Sequence, residues 1–249
     1  MTEAERVAAA LCSMWRGRTA ALRGTVHDDD GVLSCLTGLD AAPFNPSVIE
    51  RPPADPASSL ADAERHYRAV ELPYGIDLDP DLFPDVRDAA AAGGLRVVVA
   101  RPGMVADPHT VRAPIVSEGL TIERADERLD EVASVATEGF GGEFAINRGF
   151  VAEGVWRDPR ARVYLASLDG TAVATAETSL QEGVLGVFGV ATIPGARRRG
   201  VGAAITAHAI RDRVDDADLA FLQSSEMGRG VYERLGFRAV SAWEVWSRS

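Results

Sequence analysis

Val190-Ala191-Thr192-Ile193-Pro194-Gly195-Ala196-Arg197-Arg198-Arg199-Gly200-Val201-Gly202 is the stretch that decides the fold. A strand pattern ends at Ala191, a turn follows, and helical spacing begins among the glycines, with Val201, Ile205 and Ala209 on one stripe. Successive backbone N–H groups in such a loop point into one concavity and bind an anion. The helix N-terminus adds unpaired N–H groups and the positive end of its dipole. Gly200 and Gly202 carry no side chain that would hold a phosphate away from the backbone. Read alone, a pair of glycines would be a solvated turn. Strand, turn, three arginines, glycines and helix in this order make an anion site. It is not a nucleotide P-loop, which needs Gly-Lys-Ser/Thr, nor the dinucleotide fingerprint, whose glycines lie further apart.

Outward from this loop, the chain from Arg160 reads as a sheet. Val163–Leu168 is a strand, Asp169-Gly170 a hairpin turn and Ala172–Thr178 the returning strand. Gln181-Glu182-Gly183 turns again into a third strand, Val184–Ala191. Beyond the loop, Val201–Val214 is a helix, Leu219–Gln223 a strand and Val231–Leu235 part of a short helix. Phe237–Val240 and Trp243–Trp246 read as two last strands. Upstream, Leu120–Ile122 starts a strand, Asp126–Phe140 has helical spacing up to Gly141-Gly142, and a second helix runs from about Glu143 to Trp156. Antiparallel strands followed by helical crossovers make a mixed α/β sheet.

The first half reads as a helix over Thr2–Met14, a hairpin at Val26–Val32 and a proline-rich loop from Asn45 to Ser59. Helices follow at Leu60–Val70 and Pro80–Ala92, then a strand at Leu95–Val99. Arg101–Pro114 reads as a linker, with a boundary near Pro114–Gly119. Gly94-Leu95-Arg96-Val97-Val98 and Gly236-Phe237-Arg238-Ala239-Val240 each follow a helix and begin a strand, a faint internal repeat.

The 249 residues balance 26 Lys and Arg against 37 Asp and Glu, a formal charge of -11, which argues against general affinity for nucleic acid. At contact range the three loop arginines outweigh that distant net charge, which salt screens over roughly 10 Å. Cys12 and Cys35 make no disulfide framework and read as reduced, partly buried thiols. His27, His66, His109 and His208 show no metal-ligand spacing. No apolar stretch is long enough to span a bilayer, and Met1–Arg6 opens a helix rather than a signal segment, so a cytoplasmic protein is expected.

The loop resembles the signature of the GNAT superfamily of N-acetyltransferases: Gln or Arg, two residues, Gly, one residue, then Gly or Ala. Arg197-Arg198-Arg199-Gly200-Val201-Gly202 fits it in full, and Val231-Tyr232-Glu233-Arg234-Leu235-Gly236-Phe237 resembles the family's second recognisable stretch. The order of elements over about the last 130 residues is similar too. The resemblance implies a mixed, mostly antiparallel GNAT-like α/β sheet flanked by helices over 117–249. It also implies a second, degenerate GNAT-like α/β half over 1–116, as in tandem family members. That half has no Arg-x-x-Gly-x-Gly loop, and no cofactor is expected there. The implied cosubstrate is acetyl-CoA. Backbone groups of Val190, Ala191 and Thr192 would pair with its pantetheine arm, and the loop, Arg197 with the amides of Arg198, Arg199, Gly200, Val201, Gly202 and Ala203, would cradle its pyrophosphate. Ser225 stands where the family commonly has an asparagine, so one polar cofactor contact is altered.

Acetyl transfer needs a neutral amine, a stabilised thioester oxygen and a proton for the departing thiolate. An alkylamine has a pKa near 10.4, so a base is required. Glu177 and Glu226 are the candidates, each with a solvated surface carboxylate as the alternative reading. The strand Val184–Ala191 lacks the carboxylate that several family members carry there. Gly189 is either a bulge that opens a slot beside the strand or a point of close packing against a helix. Tyr232 is the candidate general acid, where the family often carries its catalytic tyrosine, or a ring packed with Leu235. The expected acceptor is a small-molecule or peptide amine, with neither nucleic acid nor membrane as partner, and a homodimer is left open. The competing function is a non-catalytic acyl-CoA-binding regulatory module.

Overall fold

The computed structural model describes residues 1–112, 114, 115 and 118–248. The expected boundary between 116 and 117 falls on residues outside that set. The chain forms two compact units, one of Met1–Gly103 with Ala239–Ser249 and one of Met104–Arg238.

The first unit runs α1 (Glu3–Ala21), β1 (Thr25–Asp29), β2 (Val32–Leu36), β3 (Pro46–Ile49), α2 (Pro56–Ala69), β4 (Gly75–Leu78), α3 (Pro84–Ala92) and β5 (Arg96–Ala106). A capping box starts α1: the Glu5 amide donates to the Thr2 hydroxyl, and the Thr2 amide to the Glu5 carboxylate. Val7, Leu11, Met14 and Trp15 of this helix are buried. β1–β2 and β2–β3 pair antiparallel and β3–β4 parallel. Tyr67 of α2 locks β2 to β3, its hydroxyl donating to the Pro46 carbonyl (2.8 Å) and accepting from the Cys35 amide (2.9 Å). Cys12 and Cys35 are free and buried.

The second unit runs β6 (Leu120–Arg124), α4 (Leu129–Phe140), α5 (Phe144–Gly149), a π-helical turn over Phe150–Val155, β7 (Ala161–Leu168), β8 (Thr171–Gln181), β9 (Val184–Thr192), α6 (Val201–Arg211), β10 (Leu219–Gln223) and α7 (Glu226–Leu235). Here β6–β7, β7–β8 and β8–β9 pair antiparallel and β9–β10 parallel. Asp169-Gly170 and Glu182-Gly183 close their hairpins with positive φ at both residues, the twist-matched turn. Each unit is therefore mixed α/β, with a mostly antiparallel sheet flanked by helices.

Three expectations need correcting, and one strand, β4, has no counterpart in the sequence reading. Pro46–Ile49 is a strand, although the prolines around it read as loop. Prolines suit strand ends and the first helical turn, and Pro46 and Pro56 occupy those places. β4 has only four residues, too short for a periodic signal. β5 continues through Arg101–Ala106, which reads as linker because Pro102-Gly103 interrupts its pattern. The two last strands are one, β11 (Arg238–Ser247), and it pairs antiparallel with β4 inside the first unit.

The internal repeat is structural. α1-β1-β2-β3-α2-β4-α3-β5 and α4-β7-β8-β9-α6-β10-α7-β11 follow one order, with the same antiparallel and parallel pairing of their third and fourth strands. Gly94 and Gly236, the starts of the two repeated pentapeptides, both follow helix ends with positive φ.

Candidate active site

The site grows from β9. Its parallel pairing with β10 covers Val184↔Leu219, Leu185↔Ala220 and Gly186↔Phe221, whereas β9 itself runs on to Thr192. The two strands part after Gly186, and on one face of the sheet two aromatic side chains mark the place. The rings of Phe188 and Phe221 meet edge-on at 5.4 Å. A Cβ on Gly186 would lie 2.4 Å from one ring and 2.8 Å from the other. The β10-facing edge of β9 from Val187 onward is thus open to an extended ligand.

On the other side of β9 the register with β8 slips. Thr175 faces Ala191 and Glu177 faces Phe188, so Ala176 alone faces Gly189 and Val190, a β-bulge. Gly189 takes φ +57, and a Cβ there would sit 3.2 Å from Glu177 Cγ, so the close neighbour is Glu177 and not a helix. The extra residue lets Val190 return to the core clusters under α6.

Past Thr192 a turn of 3-10 helix over Pro194–Ala196 leads to the arginines. Arg197 is spent within the protein: its guanidinium donates to the carbonyls of Thr192 (3.1 Å) and Gly139 (3.0 Å), tying the end of α4 to the end of β9. Arg198, Arg199 and Gly200 are exposed, and Arg198 and Gly200 take positive φ. α6 starts at Val201 without a side-chain cap, unlike α1, α2 and α7. Its first internal bond is Ala204 N–H to the Gly200 carbonyl, so the N–H groups of Val201, Gly202 and Ala203 have no partner within the helix. Gly202 lies against β9, where a Cβ would meet Thr192 Oγ1 at 3.4 Å, an ordinary contact.

The candidate acid and base lie on opposite faces of this sheet. Ala174, Ala176, Leu185, Val187, Ala220 and Leu222 enter the core under α6. Strand alternation turns Glu177, Phe188, Phe221 and Gln223 to the other face, where α4 packs. Tyr232 packs on the α6 side, against the same cluster as Val190 and Ala203, with Phe237 edge-on at 6.1 Å. Burial alone pushes its hydroxyl up to about 12, so it is a protonated donor at neutral pH. Glu177 is 9% exposed. Glu226 is exposed in the first turn of α7, away from the bulge residues' burial. Ser225 caps α7, its hydroxyl accepting from the Gly228 amide at 3.1 Å. Sequence reasoning misses Gly139, whose Cβ would fall 2.8 Å from that of Ala191, and Gly186 and Gln223. The signal for Gly186 was present, a second glycine three residues before Gly189 in one strand.

Residues 129–237, from the start of α4 to just past α7, match the model of the acetyltransferase (GNAT) family. They form a GNAT acetyltransferase domain. Among solved structures, a GCN5-related N-acetyltransferase from Kribbella flavida superposes with a TM-score of 0.80 at 22% identity, covering 99% of this chain and 95% of that one. A GCN5-related N-acetyltransferase from Sphaerobacter thermophilus gives 0.61 at 17% identity over 89% of this chain and 74% of its own. A tandem GNAT protein from the clavulanic acid biosynthesis pathway gives 0.61 at 16%, over 86% and 77%. At these identities the likeness is one of fold. No curated protein matches the sequence. Within the GNAT domain the open edge of β9, the bulge and the uncapped start of α6 follow one another along a single run of chain. Among the described residues no helix is long and apolar enough to cross a membrane, and no cluster of three metal-ligating side chains occurs.

Proposed function

We propose that the protein transfers the acetyl group of acetyl-CoA to an amine by direct attack. The observation that carries this reading is the open edge of β9 leading, through one 3-10 turn and the arginines, to the uncapped N-terminus of α6. The edge suits a strand-like pantetheine arm, held by backbone groups of Val190, Ala191 and Thr192. The uncapped turn suits a pyrophosphate, with amides from Arg198 to Ala203 turned toward it and the charge of Arg198 and Arg199 beside it. Arg197 contributes through its clamp on Thr192 and Gly139, and Ser225 by setting the start of α7.

Glu177 takes the proton of the incoming ammonium, directly or through water, from the α4 face. Tyr232 delivers a proton to the departing thiolate from the α6 face. A donor on one face and an acceptor on the other keeps the two proton transfers from short-circuiting. A bulge N–H beside Gly189 serves the developing oxyanion.

Calorimetric titration with acetyl-CoA, together with release of free thiol in the presence of a panel of amines, tests the reading. Binding with thiol release supports it. Binding with no thiol release from any amine means an acyl-CoA-binding regulatory module, and no binding removes both.

A further inference from the structure

We infer that Gln223 recognises the acceptor, and that the acceptor is an amine carrying a hydrogen-bond-accepting oxygen close to its nitrogen. This inference rests on the acetyltransferase reading above. Gln223 ends β10 on the face that holds Glu177. Its side-chain nitrogen is buried and has no hydrogen-bond partner among the described residues. A buried amide donor without a partner is costly, of a size that removal of a ligand would leave behind and that a ligand oxygen would recover.

The location says which ligand. Gly186 pairs with Phe221, so two residues further along the parallel strands Phe188 and Gln223 are level. Glu177 faces Phe188 across β8–β9. Glu177, Phe188 and Gln223 therefore form one row on three successive strands, at the point where β9 and β10 part. The carboxylate and the amide flank the row with their backbones at least two strand spacings apart, more than ~10 Å because β9 and β10 have already parted there. Beside the row, over Gly186, stand the rings of Phe188 and Phe221. A carboxylate for the amine, an amide N–H for an oxygen and an aromatic wall select a compact molecule with all three features. The oxygen can be a carbonyl or a hydroxyl.

The test uses three matched amines with the full-length protein: L-phenylalaninamide, L-phenylalaninol and 2-phenylethylamine. They present a carbonyl, a hydroxyl and no oxygen beside the same nitrogen and ring. Their amines ionise differently, so the decisive quantity is how each ratio of kcat/KM changes in Gln223→Met, which keeps the length and removes the donor. The ratio of at least one oxygen-bearing amine to 2-phenylethylamine should fall about tenfold in the variant. The kcat/KM for 2-phenylethylamine and the affinity for acetyl-CoA should stay constant. Which ratio falls separates the carbonyl from the hydroxyl. Unchanged ratios overturn the inference, as does binding of acetyl-CoA with none of the three amines accepted. A drop in acetyl-CoA affinity in the variant places the amide on the cosubstrate and overturns it as well. If acetyl-CoA does not bind the wild type, the underlying function fails first.

Discussion

Tyr232 and Gly189 are the single residues at which the proposed chemistry is tested most directly. A tyrosine pushed up to about 12 by burial keeps its proton through the neutral range. Tyr232→Phe removes one oxygen and leaves the ring against Phe237, so turnover should fall about 10²–10⁴-fold with acetyl-CoA affinity nearly constant. Steady-state kinetics with calorimetry checks this, and wild-type turnover in the variant would leave the ring a packing residue only. The pH profile follows from the same shift. Activity that requires the protonated phenol is lost as pH rises through its folded-state value, so the limb belonging to Tyr232 should lie near 12 and not near the ordinary 10. A fall in kcat centred near pH 10 that disappears in Tyr232→Phe would contradict that assignment. Gly189 tests the bulge. Gly189→Ala places a Cβ at φ +57 and 3.2 Å from Glu177 Cγ, and left-handed backbone at a non-glycine residue costs about 1–3 kcal/mol. Denaturant unfolding should register a loss of that order, and unchanged stability would mean the bulge relaxes without strain.

At the scale of elements, the unit that matters is strand, turn and helix from Val184 to Arg211. In the proposed reaction the helix start works by lacking a cap, so filling it should abolish its use. Gly200→Glu puts a carboxylate on a residue at φ +78, beside the N–H groups of Val201, Gly202 and Ala203 that have no partner within the helix. That negative charge competes with phosphate for those donors, and acetyl-CoA affinity should fall at least tenfold by calorimetry while far-UV circular dichroism holds. Retained affinity would move the anion elsewhere. This element was legible in the sequence because its geometry depends on local facts: a turn at Pro194-Gly195, glycines at the helix start, apolar spacing along α6. The hairpins were legible for the same reason. What was not legible depends on partners far away in sequence. The aromatic contact beside the parting of β9 and β10 brings Phe188 to Phe221, and the role of Arg197 needs the Gly139 carbonyl, 58 residues earlier. Glu177 could be placed on a strand from its neighbours, yet its burial beside the bulge follows only from the β8–β9 register. The single strand β11 broke into two in the sequence because Ser241-Ala242 interrupts its apolar pattern.

For the whole molecule, the repeat of elements poses the question of how many cosubstrate sites one chain holds. The first unit has the same order of strands and helices but not the three features that make the site. β3 ends at Ile49, one residue past its last pairing with β4, so no open edge runs on beyond the pair. The turn that follows is filled by the chain's own carboxylates. Asp30 accepts from the Ala54 amide at 2.6 Å and pairs with Arg51, contacts that hold its carboxyl below the usual range, and Asp55 caps α2 by accepting from the Ser58 amide at 3.1 Å. Fixed anions at these amides exclude a phosphate by charge and by occupancy. With Gly94 laid on Gly236, the residue in the place of Tyr232 is Ala90, which offers no proton. Titration calorimetry should therefore give one acetyl-CoA per chain. The stoichiometry should remain one in a double variant, Asp30→Ala with Asp55→Ala, because uncovering those amides does not part β3 from β4. It should drop to no measurable binding when Gly200→Glu is introduced into either background. Two sites in the wild type, or a second site appearing in the double variant, would show that the first unit keeps a usable slot and that its carboxylates act as a removable block.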